Sequence, residues 1–262
     1  LWIAFYLKSV RWRIISISYK ISLKSFQAFK VFFIGLFLAN ITPGRLGDFG
    51  RLLYIKDKLP SQKVGWSSLI MDRIFDLVCL LLFSFVALLY FQINFKIIQL
   101  PKDNATFLFW LIGLFIMLII VFVFRIKFKN ILSPWWEAFT SHDLSFVKSI
   151  QSFLLTCLSM TLIYGVFNYI AFVMKIEIDH LGLFLGTFVL GVLTLLPITI
   201  LGIGVRETSL VLIFQLYGLP AQDAIALSLI IFFIQLVSFI PGAIWFYLSP
   251  IQLKDLKSKK TT

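Results

Sequence analysis

Two short stretches of the chain set charged side chains among residues that break helices, and both could hold an anion. The first, Asn40 to Arg51, reads NITPGRLGDFGR. Pro43 removes a backbone donor, and Gly44, Gly47 and Gly50 let the chain turn tightly and expose N–H groups. Arg45 and Arg51 offer forked donors suited to phosphate, with Asp48 between them to balance charge. No Gly-Lys-Ser/Thr follows, so this is not a nucleotide-binding loop. The bland alternative is a cytoplasmic turn whose arginines snorkel to anionic lipid.

The second stretch, Leu196 to Glu207, reads LPITILGIGVRE and lies between two apolar runs. Pro197, Gly202 and Gly204 interrupt helix there, and Arg206 and Glu207 follow at once. A charge at the centre of a bilayer costs about 2.5 to 3.5 kcal/mol on insertion scales, so these side chains must face protein or a wet cavity. A half-helix starting at Val205 would point its N–H groups at an anion, beside Arg206, with Glu207 as counter-ion or proton carrier. Alternatively the pair neutralises itself in an external turn. A third charged group, Asp72, Arg73 and Asp76, opens the long apolar run that starts at Trp66. Arg73 can pair with Asp76 one turn along, or the carboxylates can reach Arg45, Arg51 or Arg206 across a bundle, or carry a proton. A structural ion pair near the membrane surface accounts equally well for this group.

The elements that must position these residues are membrane helices. Of 262 residues, 60% are hydrophobic and 14% charged, and mean hydropathy is +0.97; a soluble domain averages about 25% charged residues. The net charge of +12 gathers in particular loops, which fits the positive-inside rule and anionic headgroups, not nucleic acid. Cys79 and Cys157 sit inside apolar runs and read as packing residues. His142 and His180 lack partners at ligand spacing, so neither a metal nor a cofactor is expected. The 30 phenylalanines read as core and lipid-facing surface.

Leu1 to Leu7 is too short to span and reads as the tail of a helix or an interfacial piece. Lys8 to Lys30 carries six basic residues and no acid. It alternates like a strand from Ile15 to Lys24, but an open sheet edge is not viable in lipid, so a cytoplasmic helix lying at the interface is expected. Residues 8–64 thus comprise that segment and a first broken hairpin, entering and leaving on the basic side. Residues 66–124 hold two spans, and Pro134, Trp135 and Trp136 mark an interfacial piece. Residues 149–248 hold a span, a second broken hairpin over 181–217, and the last span. The basic tail, 249–262, places the C-terminus in the cytoplasm. The two halves would then run with opposite topology, the inverted-repeat arrangement of many secondary transporters.

The runs PGRLGDFGRLLYIKDK, MDRIFDLV and LPITILGIGVRETSLV, in this order and spacing, resemble the transmembrane region of the lysylphosphatidylglycerol synthase and flippase-like family. The resemblance extends from Arg11-Trp12-Arg13 to the last span, and the third run is its most specific part. It implies an integral protein of a prokaryotic cytoplasmic membrane that moves a phospholipid or lipid-linked headgroup between leaflets. The synthases' soluble aminoacyl-transferase domain is not in this sequence, and that activity is not carried over. Ile200, Leu201 and Ile203 stand where many relatives have small or polar residues, so closer relatives do not settle the substrate.

The expectation is one all-α polytopic bundle with two interrupted elements meeting in a polar cavity. Arg45, Arg51 and Arg206, with Gly44, Gly47, Gly202 and Gly204, would bind headgroup. Asp48, Asp72, Arg73, Asp76 and Glu207 would balance charge or carry protons. Self-association into a homo-oligomer stays open. Two other classes stand beside the transporter: an intramembrane lipid-modifying transferase and a non-catalytic scaffold. Against the first, no nucleophile has an adjacent base in the sequence and no metal-ligand cluster is evident.

Overall fold

The computed structural model describes residues 1–95, 143–194 and 202–249. Among them every regular element is helical: α1 (Trp2–Ser18), α2 (Ser25–Ile41), a 3₁₀ segment (Pro43–Lys58), α3 (Gln62–Phe95), α4 (Phe146–Val173), α5 (His180–Leu193), α6 (Val205–Leu216) and α7 (Ala221–Leu248). The side chains of residues 43–46, and residues 195–201 with Pro197, lie outside the described structure. So do the expected span over 105–124 and the interfacial piece around Trp135.

Helix lengths divide the elements into two kinds. α3, α4 and α7 are long and apolar enough to cross a membrane, and leucine, isoleucine, valine and phenylalanine side chains cover much of their outer faces. α2 and α5, at 17 and 14 residues, are equally apolar but only about 25 and 21 Å long, short of the roughly 30 Å hydrocarbon core. Each short helix runs into one of the broken stretches. After α2 the chain winds for 16 residues in 3₁₀ fashion, an unusually long run for that tighter helix.

Packing makes two apolar cores. One gathers Trp12 and Ile15 of α1, Tyr19 just past its end, Phe32 and Phe33 of α2, Ile55 of the 3₁₀ segment and Phe239 of α7. The other gathers Phe167 of α4, Leu183 and Leu190 of α5, Phe214 of α6 and Leu227 of α7. The first broken stretch reaches the first core through Phe49, and α6, which follows the second, joins the other core.

The basic N-terminal run departs from expectation. Residues 8–30 are not one interfacial helix but the end of α1, a short link and the start of α2, and α1 is packed against α2, α3 and α4. Arg11 and Trp12 are wholly buried. The alternation from Ile15 to Lys24 reflects the buried Ile15, Ile21 and Leu23, which reach one core from a helix end and a link. Arg11 can be buried because acids from a distant helix meet it.

Candidate functional site

α1 and α3 cross so that Lys8 and Arg11, one turn apart, face Asp72 and Asp76, also one turn apart. Arg11 donates to Asp72 Oδ1 at 2.9 Å and to Asp76 Oδ1 at 2.6 Å, and its Nη1 also reaches Thr156 of α4 at 2.8 Å. Lys8 Nζ lies 3.1 Å from Asp76. Arg51, from the 3₁₀ segment, binds Asp48 through Nε at 2.7 Å and lies 3.7 Å from Asp72. Its guanidinium stacks over Trp12 and Phe32, 5.0 and 4.8 Å from the ring centres, a geometry that holds a desolvated arginine well. Arg73 pairs with Asp48 and, at 3.6 Å, with Asp76; the latter is the intrahelical pair the spacing predicts.

Among the described side chains of this cluster four cations face three carboxylates, leaving one positive charge in excess. Arg73 is the most open member, its side chain 36% exposed, while those of Arg11, Arg51 and Asp72 are almost wholly buried. Burying ions costs several kcal/mol each unless partners and hydrogen bonds compensate, so an excess charge here favours an anion.

The second stretch is organised differently. Gly202 and Gly204 have φ of +74° and +88°, backbone that side-chain-bearing residues avoid, and they turn the chain sharply into α6. Arg206 then donates to Ser228 Oγ at 2.9 Å, Gln235 Oε1 at 2.9 Å and Glu207 Oε1 at 3.2 Å. Phe232 lies beneath it at 5.4 Å. Ser228 donates to Glu207 at 2.6 Å, and Glu207 accepts the Gly204 N–H at 2.6 Å. The carboxylate that follows the arginine thus caps its own helix.

A cavity of about 460 Å³ joins the two groups. Lys8, Arg11, Asp72, Arg73 and Asp76 border it from one side, Gly202, Arg206 and Gln235 from another, and Phe32, Leu77, Phe167 and Phe239 are among its apolar walls. Its size is that of small-ligand pockets, and it combines a charged region with a larger apolar one. Among the described residues no group of three metal-ligating side chains occurs.

The match to the family described as lysylphosphatidylglycerol synthase TM region runs over residues 1–242. The chain belongs to that family. Two relatives from Methanocaldococcus jannaschii, each named UPF0104 membrane protein, are similar to it. One is 28% identical over 237 residues, covering 86% of this chain and all of the relative. The other is 26% identical over 284 residues, covering 96% of this chain and 82% of the relative. No solved structure matches the chain. Family and helices together make this an integral membrane protein.

Within this family member the expected residues fall into two places. Asp48, Arg51, Asp72, Arg73 and Asp76 come together, and Arg206 and Glu207 stand with α7, Arg206 pairing, among the described residues, with Glu207, Ser228 and Gln235. The side chains of Pro43 and Arg45, with Gly44, lie outside the described side chains. Gly47 is not placed as a phosphate donor: its N–H donates to Thr42 Oγ1 at 2.7 Å. A Cβ there would collide with the Leu38 carbonyl of α2, so this glycine lets two backbones touch. Likewise the Gly204 N–H is taken by Glu207. Sequence reasoning missed Lys8, Arg11, Ser228 and Gln235. Lys8 and Arg11 share a helix face with Ala4 and Ile15, at spacings of four, three and four, and that mixed face was the available signal.

Proposed function

We propose that the protein moves a phospholipid, or another lipid with a phosphate-bearing headgroup, between the leaflets of a prokaryotic cytoplasmic membrane. The observation that carries this reading is the shape and lining of the cavity, which sets an unbalanced cationic cluster beside apolar walls inside a helical membrane bundle. An amphiphile with an anionic head fits both parts at once. The headgroup would meet Arg73 first, since that guanidinium is the most open, with Arg11 and Lys8 behind it and Arg206 and Gln235 across the cavity. Arg45 would add a further cation at the first break. The basic tail at 249–262 supports a cytoplasmic C-terminus.

The carboxylates act as charge balancers in this reading. Each has at least one guanidinium partner and so offsets the positive charge of the arginines around the cavity.

The test is leaflet exchange of fluorescent phospholipids in proteoliposomes, read by membrane-impermeant quenching. Intact protein is compared with Arg73→Gln and Arg206→Ala at equal incorporation. Exchange above empty liposomes that both variants reduce is expected. No exchange across anionic, zwitterionic and lipid-linked probes would remove the transporter reading and favour a lipid-modifying transferase or a scaffold.

A further inference from the structure

We propose that Cys79 and Cys157 are a redox-sensitive pair: a reversible disulfide between them ties α3 to α4 and locks a wall of the cavity. The site stands on geometry alone, and its effect on lipid movement rests on the transport reading above.

The meeting of the two thiols is the first ground. The chain has two cysteines, and both are free. Although 78 positions separate them, α3 and α4 bring them together, the Cys79 thiol donating to Cys157 Sγ at 3.7 Å. That is about 1.7 Å beyond the bonded separation of two sulfurs, a gap that small side-chain rotations close.

The second ground is what surrounds the pair. Cys79 is wholly buried in a cluster with Leu80, Met160 and Phe188, and Cys157 packs half-buried at the edge of that cluster. An apolar layer keeps water-soluble reagents away from these sulfurs, so the oxidant must dissolve in the bilayer. A membrane quinone does, and quinones are the class that receives thiol electrons from the bacterial periplasm. Cys157, the more open thiol, adds to the quinone first. The Cys79 sulfur then attacks the Cys157 sulfur and expels the quinol. Two S–H bonds break and one S–S bond forms, and the two protons and two electrons leave on the quinol.

Placement is the third ground. Leu80, next to Cys79, and Met160, one turn from Cys157, both border the cavity. Asp76 lies one turn before Cys79 and Thr156 directly before Cys157, and Arg11 of α1 donates to both, at 2.6 and 2.8 Å. At this level α3 and α4 are thus held through a third helix by hydrogen bonds, which can exchange partners. A disulfide sets a covalent link beside that movable one, and the seam between Leu80 and Met160 can no longer part. Widening of the cavity along that seam, to pass a bulky amphiphile, then stops.

The experiment uses the full chain in proteoliposomes of phosphatidylcholine and phosphatidylglycerol, reduced or treated with a short-chain quinone, beside Cys157→Ala and Cys79→Ser. Thiols are counted by alkylation after denaturation, and leaflet exchange is read with acyl-labelled phospholipids. Quinone should abolish alkylation of both cysteines, lower the intact mass by two hydrogens without joining two chains, and bring exchange down to the level of empty liposomes. Dithiothreitol should restore thiols and exchange together, and neither variant should lose exchange on quinone treatment. Thiols that stay reduced, a stable quinone adduct, or a disulfide between two chains overturns the site. A disulfide within one chain that leaves exchange unchanged overturns the lock while leaving transport intact. If the reduced protein moves no probe, the transport reading fails by itself, and thermal unfolding decides the lock. A higher unfolding temperature for the oxidised chain, lost again on reduction, supports it; an equal one overturns it.

Discussion

The two broken stretches share a sequence grammar of proline, spaced glycines, arginine and an acid within three residues of it, yet the structure uses them in different ways. At the first, Arg51 and Asp48 join a network that reaches α1, α3 and α4, and the charges find partners across distant elements. At the second, Arg206 and Glu207 neutralise each other, and their remaining partners come from α7 and their own helix turn. The first stretch therefore depends on tertiary assembly and holds surplus charge. The second is closer to self-sufficient and presents a polar but neutral wall. A cavity lined by one of each has a polarity that neither would have alone.

The sharpest way to break this contrast is at Arg11. Replacing it with methionine keeps the volume but leaves Asp72 and Asp76 buried without their main partner, and breaking a buried pair in this way costs about 3 to 5 kcal/mol. Thermal unfolding in detergent should show that loss, and Asp72→Asn in the same chain should recover part of it. A stability close to that of the intact protein would mean that the cluster does not hold α1 to α3. Arg206→Met should cost less, about 1.5 to 3 kcal/mol, because Glu207 keeps Ser228 and the Gly204 N–H. If the two substitutions cost the same, the local and distributed networks are not different in kind.

How much of this was readable beforehand follows the same division. Asp72, Arg73 and Asp76 could be placed on one helix by spacing alone, and the two breaks by proline, glycine and charge. The α-helical membrane class followed from hydropathy. Arg11 and Lys8 could not be recognised, since a basic run beside an apolar stretch has the composition of an interfacial segment; only the pairing of α1 with α3, some sixty residues away in sequence, makes them interior. Gly47 and Gly204 look alike in sequence, yet one serves backbone contact and the other backbone conformation, a distinction that exists only once α2 is in place. Ser228 and Gln235 carry no local signal, because polar residues seven apart in an apolar helix identify a face but not its occupant.

Those glycines sharpen the comparison further. Gly47→Ala should force the 3₁₀ segment off α2 and cost about 1 to 3 kcal/mol, the range of overpacking. Gly204→Ala meets no neighbour within 4 Å, so its cost of about 1 to 2 kcal/mol comes from left-handed backbone alone. The two are separable by cross-linking: cysteines on α2 and the 3₁₀ segment should lose proximity in the first variant and keep it in the second. Loss of proximity in both would show that the breaks are mechanically linked.

Asp179 supplies a control outside both networks and the smallest expected effect. It caps α5 by accepting the N–H groups of Leu181 and Gly182 at 3.1 and 3.0 Å, and it accepts from Tyr90 and, at 3.2 Å, from Tyr217. Burial alone would raise its pKa, but the hydrogen bonds from Tyr90, Gly182, Leu181 and Tyr217 prevail and hold the carboxyl below its ordinary value. A carboxyl with a depressed folded-state pKa contributes stability that is complete above its unfolded value of about 3.9 and is lost as pH falls through the lower folded value. Asp179→Ala should cost about 1 kcal/mol at neutral pH, the usual worth of an N-cap, and should flatten the acid limb of the stability curve. Because Asp179 touches neither charged group around the cavity, lipid exchange at neutral pH should survive the substitution. Exchange lost along with the cap would mean that the mouth of α5 moves with the cavity, and the division into a distributed first network and a local second one would have to include this third site.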